Sequence, residues 1–89
     1  MQNNNNLVPS AQEIRILVDQ AKAEVSRLRS GEKFMVRDLF LGYEWNRFSN
    51  YIRAQIGFGF YHQYAKDETI SEVTESGKTA RNQQLYTKN

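Results

Sequence analysis

A 3.6-residue apolar period over residues 11–29, a second over 48–66 and a switch to two-residue alternation beyond Lys66 together predict an α+β fold. The implied order is helix, short strand, short helix, longer helix and C-terminal hairpin. That is the order of a winged helix-turn-helix domain: three helices plus a small antiparallel sheet with a C-terminal β-hairpin wing. Between the two long periods lies FMVRDLFLGYEW, residues 34–45, the stretch densest in large apolar and aromatic side chains. Burying each such side chain is worth roughly 1.5–3 kcal/mol, so the core is expected to gather around this stretch.

Residues 1–6 are polar and rich in asparagine, with nothing to bury, and a disordered tail over 1–9 is expected ahead of a single domain over 10–89. The run Ser10-Ala11-Gln12-Glu13 has the pattern of a capping box and predicts where the first helix starts. Ile14, Val18, Ala21, Val25 and Leu28 then fall on one face, and Ser30-Gly31 supplies the stop. Packing of this helix on its own domain is the expected role, and a coiled-coil dimer seam is the alternative. Ile16, on the opposite face, is the residue that hints at a partner.

The segment Glu32–Val36 reads as a brief strand, Arg37–Leu41 as a short helical turn ended by Gly42, and Tyr43–Phe48 as a connection pinned by Trp45. In the third helix Trp45, Phe48, Ile52, Ile56, Phe60 and Gln63 share one side, with Ser49 or Asn50 as a cap if the helix starts later. Gly57 and Gly59 each cost roughly 1 kcal/mol in a helix interior, which requires either close packing or a kink. Thr69–Thr74 and Gln83–Lys88 alternate as strands, joined by a polar tip over 75–82 that is expected to be long and flexible. The short strand can join this hairpin as a third strand.

The chain has 89 residues, no cysteine and a formal charge of +2, so neither disulfides nor a thiolate metal site can reinforce it. No basic start, secretory segment or bilayer-length apolar run is present, and a cytoplasmic location is expected. Charge alternates along the chain: four acids fall within 67–76, and Lys78, Arg81 and Lys88 follow.

The run Val36-Arg-Asp-Leu-Phe with Gly42-Tyr-x-Trp45, followed by Gly57, Phe60 and a C-terminal QQLYTK, resembles a family of short uncharacterised bacterial, phage and plasmid proteins. That family is defined as a domain of unknown function, and some of its members are labelled single-stranded DNA-binding proteins. The resemblance covers residues 10–88. It implies a phage or mobile-element setting and a role connected with nucleic acid, and it supplies no catalytic residues.

His62 is the single histidine, and without cysteines or a second histidine it cannot build a zinc site of usual composition. Asp67 and Glu68 are adjacent rather than facing, and Gly57-Phe-Gly59 lacks the lysine and further glycine of a phosphate loop. No enzyme activity, cofactor or metal is expected. The exposed face of the third helix carries Arg47, Asn50, Arg53, Ala54, Gly57 and Tyr61, with Phe58 at its edge. Arg and Asn can pair bidentately with guanine and adenine, and the hairpin tip adds Lys78, Thr79, Arg81 and Asn82.

The expected nucleic-acid-binding residues are therefore Arg47, Asn50, Arg53, Tyr61, Lys78 and Arg81, in a DNA-binding regulator acting on duplex as a homodimer through the first helix. An ordinary solvated helix face and charged hairpin would have the same composition. The alternative function is a protein–protein interaction module, such as a phage-encoded adaptor or inhibitor docking on a host protein without DNA. It is suggested by the acids near the wing and by Tyr61 and Phe58. A third reading uses Tyr43, Tyr51, Tyr61 and Tyr64 as stacking platforms for a single strand.

Overall fold

Val18, Ala21 and Val25 on one stripe of helix α1 (Ala11–Val25) are completely buried, as the 3.6-residue period predicts. The computed structural model describes residues 11–67, 69 and 72–89; the N-terminal tail and the Ser10 cap lie outside these. The helix ends four residues earlier than its apolar period. The Ser26 hydroxyl donates to the Ala23 carbonyl, and Leu28 N–H reaches back three residues to Val25, so the last apolar position sits on a tightened turn. Gly31 takes a φ of +92°, and its N–H donates to the Lys88 carbonyl at 2.7 Å, tying the exit of α1 to the C-terminal strand.

The short strand β1 (Lys33–Phe34) covers only part of the expected segment, because Met35 N–H donates instead to the Asp38 carboxylate at 2.8 Å and starts a 3-10 turn over Val36–Leu39. Gly42 does not end a helix; it opens one. Residues expected to be a connection form α2 (Gly42–Arg47), and the two-residue turn Phe48-Ser49 leads into α3 (Asn50–Phe60). Ser49 is the cap of α3, its hydroxyl accepting from Ile52 N–H at 3.2 Å. Beyond Phe60 the chain continues as a π-helical turn, Tyr61–Ala65, with Lys66 N–H bonded five residues back to Tyr61.

Strands β2 (Val73–Lys78) and β3 (Gln84–Lys88) close a three-stranded antiparallel sheet in the order β1-β3-β2. Within the expected strand 69–74, Ile70 and Ser71 lie outside the described residues, and β2 runs four residues further than its alternation suggested. The pairing Glu75↔Tyr86 followed by Lys78↔Gln84 contains a bulge, with Gly77 at φ +91°. The expected long, flexible tip is consequently a short hydrogen-bonded turn. Thr79 N–H donates to Gln83, Asn82 N–H donates to Thr79, and Asn82 has a φ of 66°.

The core is aromatic at its centre. Phe60 lies 5.3 Å from Tyr86, 5.2 Å from Tyr64 and 6.5 Å from Phe34, ring centroid to centroid. Residues 34–45 are only partly inside: Phe34 and Leu39 are buried, Phe40 and Trp45 are half-buried, and Leu41 and Tyr43 are exposed. Phe40, Trp45 and Phe48 form a second aromatic group, 5.5–5.9 Å apart, that holds α2 in place. Close packing accounts for Gly59, where a Cβ would sit 2.8 Å from Val18 Cγ2 on α1; Gly57 faces open space. The first helix and α3 can approach this closely only because that position lacks a side chain.

Candidate functional site

An open groove with a volume of about 930 Å³ runs between α3 and the β2–β3 hairpin. Its helical wall presents Asn50, Arg53, Ala54, Gly57 and Phe58, the outward face of α3, with Tyr61 of the π-helical turn at one end. The hairpin wall presents Glu75, Lys78, Arg81, Asn82 and Gln83. Met35, Val36 and Arg37 of the 3-10 turn complete the lining beside Trp45 and Asn46 of α2. Five of the six residues singled out in the sequence therefore meet: Asn50, Arg53, Tyr61, Lys78 and Arg81.

Arg47 is not among them. It lies on α2 with its guanidinium carbon 5.0 Å from the Tyr43 ring centroid, where the cation is drawn to the ring face. Arg37, Asn46 and Gln83 line the groove, yet the sequence did not single them out. No apolar period assigns a face to a 3-10 turn or a two-turn helix, so nothing in the sequence located the first two.

Electrostatically the groove is unequal. It is lined by four cations, Arg37, Arg53, Lys78 and Arg81, and by one carboxylate, Glu75. The other acids near the hairpin have separate duties: Glu72 accepts from the Tyr64 hydroxyl, and the Asp67 carboxylate accepts from the hydroxyl and amide of Thr69, which hold its pKa below the usual value. Glu68 is outside the described residues. Ion pairs among the described residues, Lys22–Asp19 and Arg27–Glu24, both lie on or just beyond α1, and no carboxylate among those residues pairs with a groove cation.

The cations differ in freedom. Arg53 Nε donates to the Trp45 carbonyl at 3.1 Å and its Nη2 to the Asn46 carbonyl at 3.2 Å, with the guanidinium 5.9 Å from the Trp45 ring centroid. These carbonyls belong to the last turn of α2, where a cation both satisfies open acceptors and complements the helix dipole. Lys78 and Arg81 are exposed and make no such contacts among the described residues. Thr79, expected to contact a ligand, instead accepts from Arg81 N–H and Gln83 N–H, and so shapes the turn that presents Arg81.

At the groove floor Tyr86 is buried, and burial, the Glu75 charge and Tyr61 push its pKa up to about 12. His62 is exposed beside Phe58, ring centroids 4.1 Å apart. Among the described residues no group of three His, Cys, Asp or Glu side chains is placed to hold a metal ion, and no helix is long and apolar enough to cross a membrane.

Against known proteins, the model of one family, described as a domain of unknown function (DUF1413), matches residues 19–88. Neither a curated protein nor a solved structure gives a significant match.

Proposed function

The chain belongs to the DUF1413 family, whose description specifies no activity, and we propose from the groove itself that the protein is a small nucleic-acid-binding protein. In this reading it is a DNA-binding regulator of winged-helix type; the resemblance to phage and plasmid proteins implies the coarser part, a role connected with nucleic acid. The observation that carries it is the lining of one open groove by four cations and one acid. A polyanion entering there meets a positive field on both sides and releases counterions as it binds.

The placement of elements supports the winged reading. A short helix, a two-residue turn and a longer helix precede a hairpin, and the sheet order is β1-β3-β2. With α3 lying in a major groove, the N-terminal residues of that helix face base edges while Lys78 and Arg81 reach the flanking backbone. Phosphate contacts from Arg37, Lys78 and Arg81 give an expected slope of roughly −3 in log affinity against log salt, at about −0.9 per contact. One copy thus binds weakly. Ile16 is 50% exposed on the outer face of α1, and two copies joined there would double the number of contacts.

The test is retention of a labelled duplex by the folded protein over a salt series. Binding at low salt that falls steeply as salt rises is expected; no retention at low salt would remove the proposal. A protein-docking role is favoured instead by Leu41, Tyr43, Tyr51 and Phe58, each more than half exposed. It predicts a partner that remains bound after nuclease treatment and survives Lys78→Ala.

A further inference from the structure

We infer that the groove selects duplex DNA rich in A·T pairs, with Asn50 reading adenine; this rests on the nucleic-acid reading above and adds a base preference to it. Sequence alone offers three readers on the exposed face of the third helix, Arg47 and Arg53 for guanine and Asn50 for adenine, of which Arg47 lies instead on α2 against Tyr43. The structure separates them. The Nε and Nη2 edge of Arg53, one of the two edges that can fork onto the O6 and N7 acceptors of guanine, is turned onto the carbonyls of Trp45 and Asn46, which holds the guanidinium against α2. Asn50 is exposed at the first position of α3, and its amide has no hydrogen-bond partner among the described residues.

An asparagine amide donates to N7 and accepts from the N6 amino group of adenine with both of its polar atoms, a match that guanine does not offer. One turn further along, Ala54 presents a methyl group to the same groove, and Gly57 follows with open space where a side chain would stand. The Ala54 methyl suits contact with the C5 methyl of thymine, and the bare Gly57 backbone lets the duplex come close. The guanidinium on that wall, Arg53, is anchored to α2 through Nε and Nη2.

The experiment measures competition by two unlabelled duplexes of equal length, one of mixed A·T pairs and one of mixed G·C pairs, for the labelled duplex bound to the full chain. The A·T duplex is expected to compete on the order of tenfold better. Replacing adenine by 7-deazaadenine removes the N7 acceptor without touching the protein, and most of the preference is then lost. Asn50→Ala, an exposed change beside the Ser49 cap, has the same effect while leaving the salt slope unchanged.

Equal competition, or preference for the G·C duplex, overturns the inference and leaves the polyanion reading standing. A preference that survives both 7-deazaadenine and Asn50→Ala also overturns it, because Asn50 would not be the reader. Failure of either duplex to bind at low salt removes both the inference and the reading beneath it.

Discussion

On the α3 wall of the groove the guanidinium of Arg53 is bound to two carbonyls of α2, whereas on the hairpin wall Lys78 and Arg81 stand in solvent with no side-chain partner among the described residues. The helical wall is fixed by burial: Ile56 and Phe60 are completely inaccessible, and α3 lies against α1 through Gly59. The hairpin wall is fixed by backbone geometry, through the Gly77 bulge and the Thr79 turn. One wall can therefore be damaged only by changing packing or helix capping, and the other can lose its charges without losing its shape. A cation in a groove is not automatically a contact for a ligand; what else its nitrogens bind decides that.

The largest expected effect lies under the helical wall. Phe60→Ala removes a buried ring from the cluster with Phe34, Tyr64 and Tyr86 and should cost about 3–5 kcal/mol, measured by denaturant unfolding. For a domain this small, that is a large part of its total stability. Arg53→Ala should cost about 1–2 kcal/mol, since it frees two carbonyls at the end of α2. It should weaken duplex binding while leaving the salt slope in place. Arg81→Ala should do the reverse, with stability changed by less than about 0.5 kcal/mol and the slope reduced by about 0.9.

The two α3 glycines sharpen the same contrast between packed and open faces. Gly57→Ala meets open space and should stabilise by up to about 1 kcal/mol through helix propensity. Gly59→Ala gains the same propensity but drives a methyl into Val18, and overpacking of about 1–3 kcal/mol turns the net effect into a loss.

Alkaline pH probes the floor shared by both walls. The Tyr86 pKa is raised to about 12, above its ordinary value of 10.0, and Tyr64 is raised too, first by burial and then by Glu72. A group whose folded pKa is raised contributes stability that is complete below its unfolded pKa and disappears as pH rises through the folded one. Unfolding midpoints should therefore hold to about pH 10 and fall between pH 10 and 12, and Tyr86→Phe should reduce that fall.

Much of this was legible in the chain. The stripe Val18-Ala21-Val25 located α1, and the side shared by Ile56 and Phe60 located the inward face of α3, hence the outward face carrying Asn50 and Arg53. Alternation located β3 to within one residue, with its end at Lys88 and its start at Gln84 rather than Gln83. Helix α2 was not legible because GYEWNR starts with glycine and has no capping side chain; its helix is held by the contacts of Trp45 with Phe40 and Phe48. The C-terminal reach of β2 was missed because, after Val73, TESGK is polar on both faces and contains a bulge, which breaks the two-residue period. The commitment of Arg53 to α2 was equally hidden, since it depends on a helix that no pattern announced.

The most direct measurement compares the salt dependence of duplex binding for the unaltered chain and for Lys78→Ala/Arg81→Ala. If the hairpin cations face phosphates across the groove, the slope should fall by about 1.8 while the unfolding midpoint stays unchanged. An unchanged slope with unchanged stability would contradict that account, because the groove would then not be where the polyanion lies.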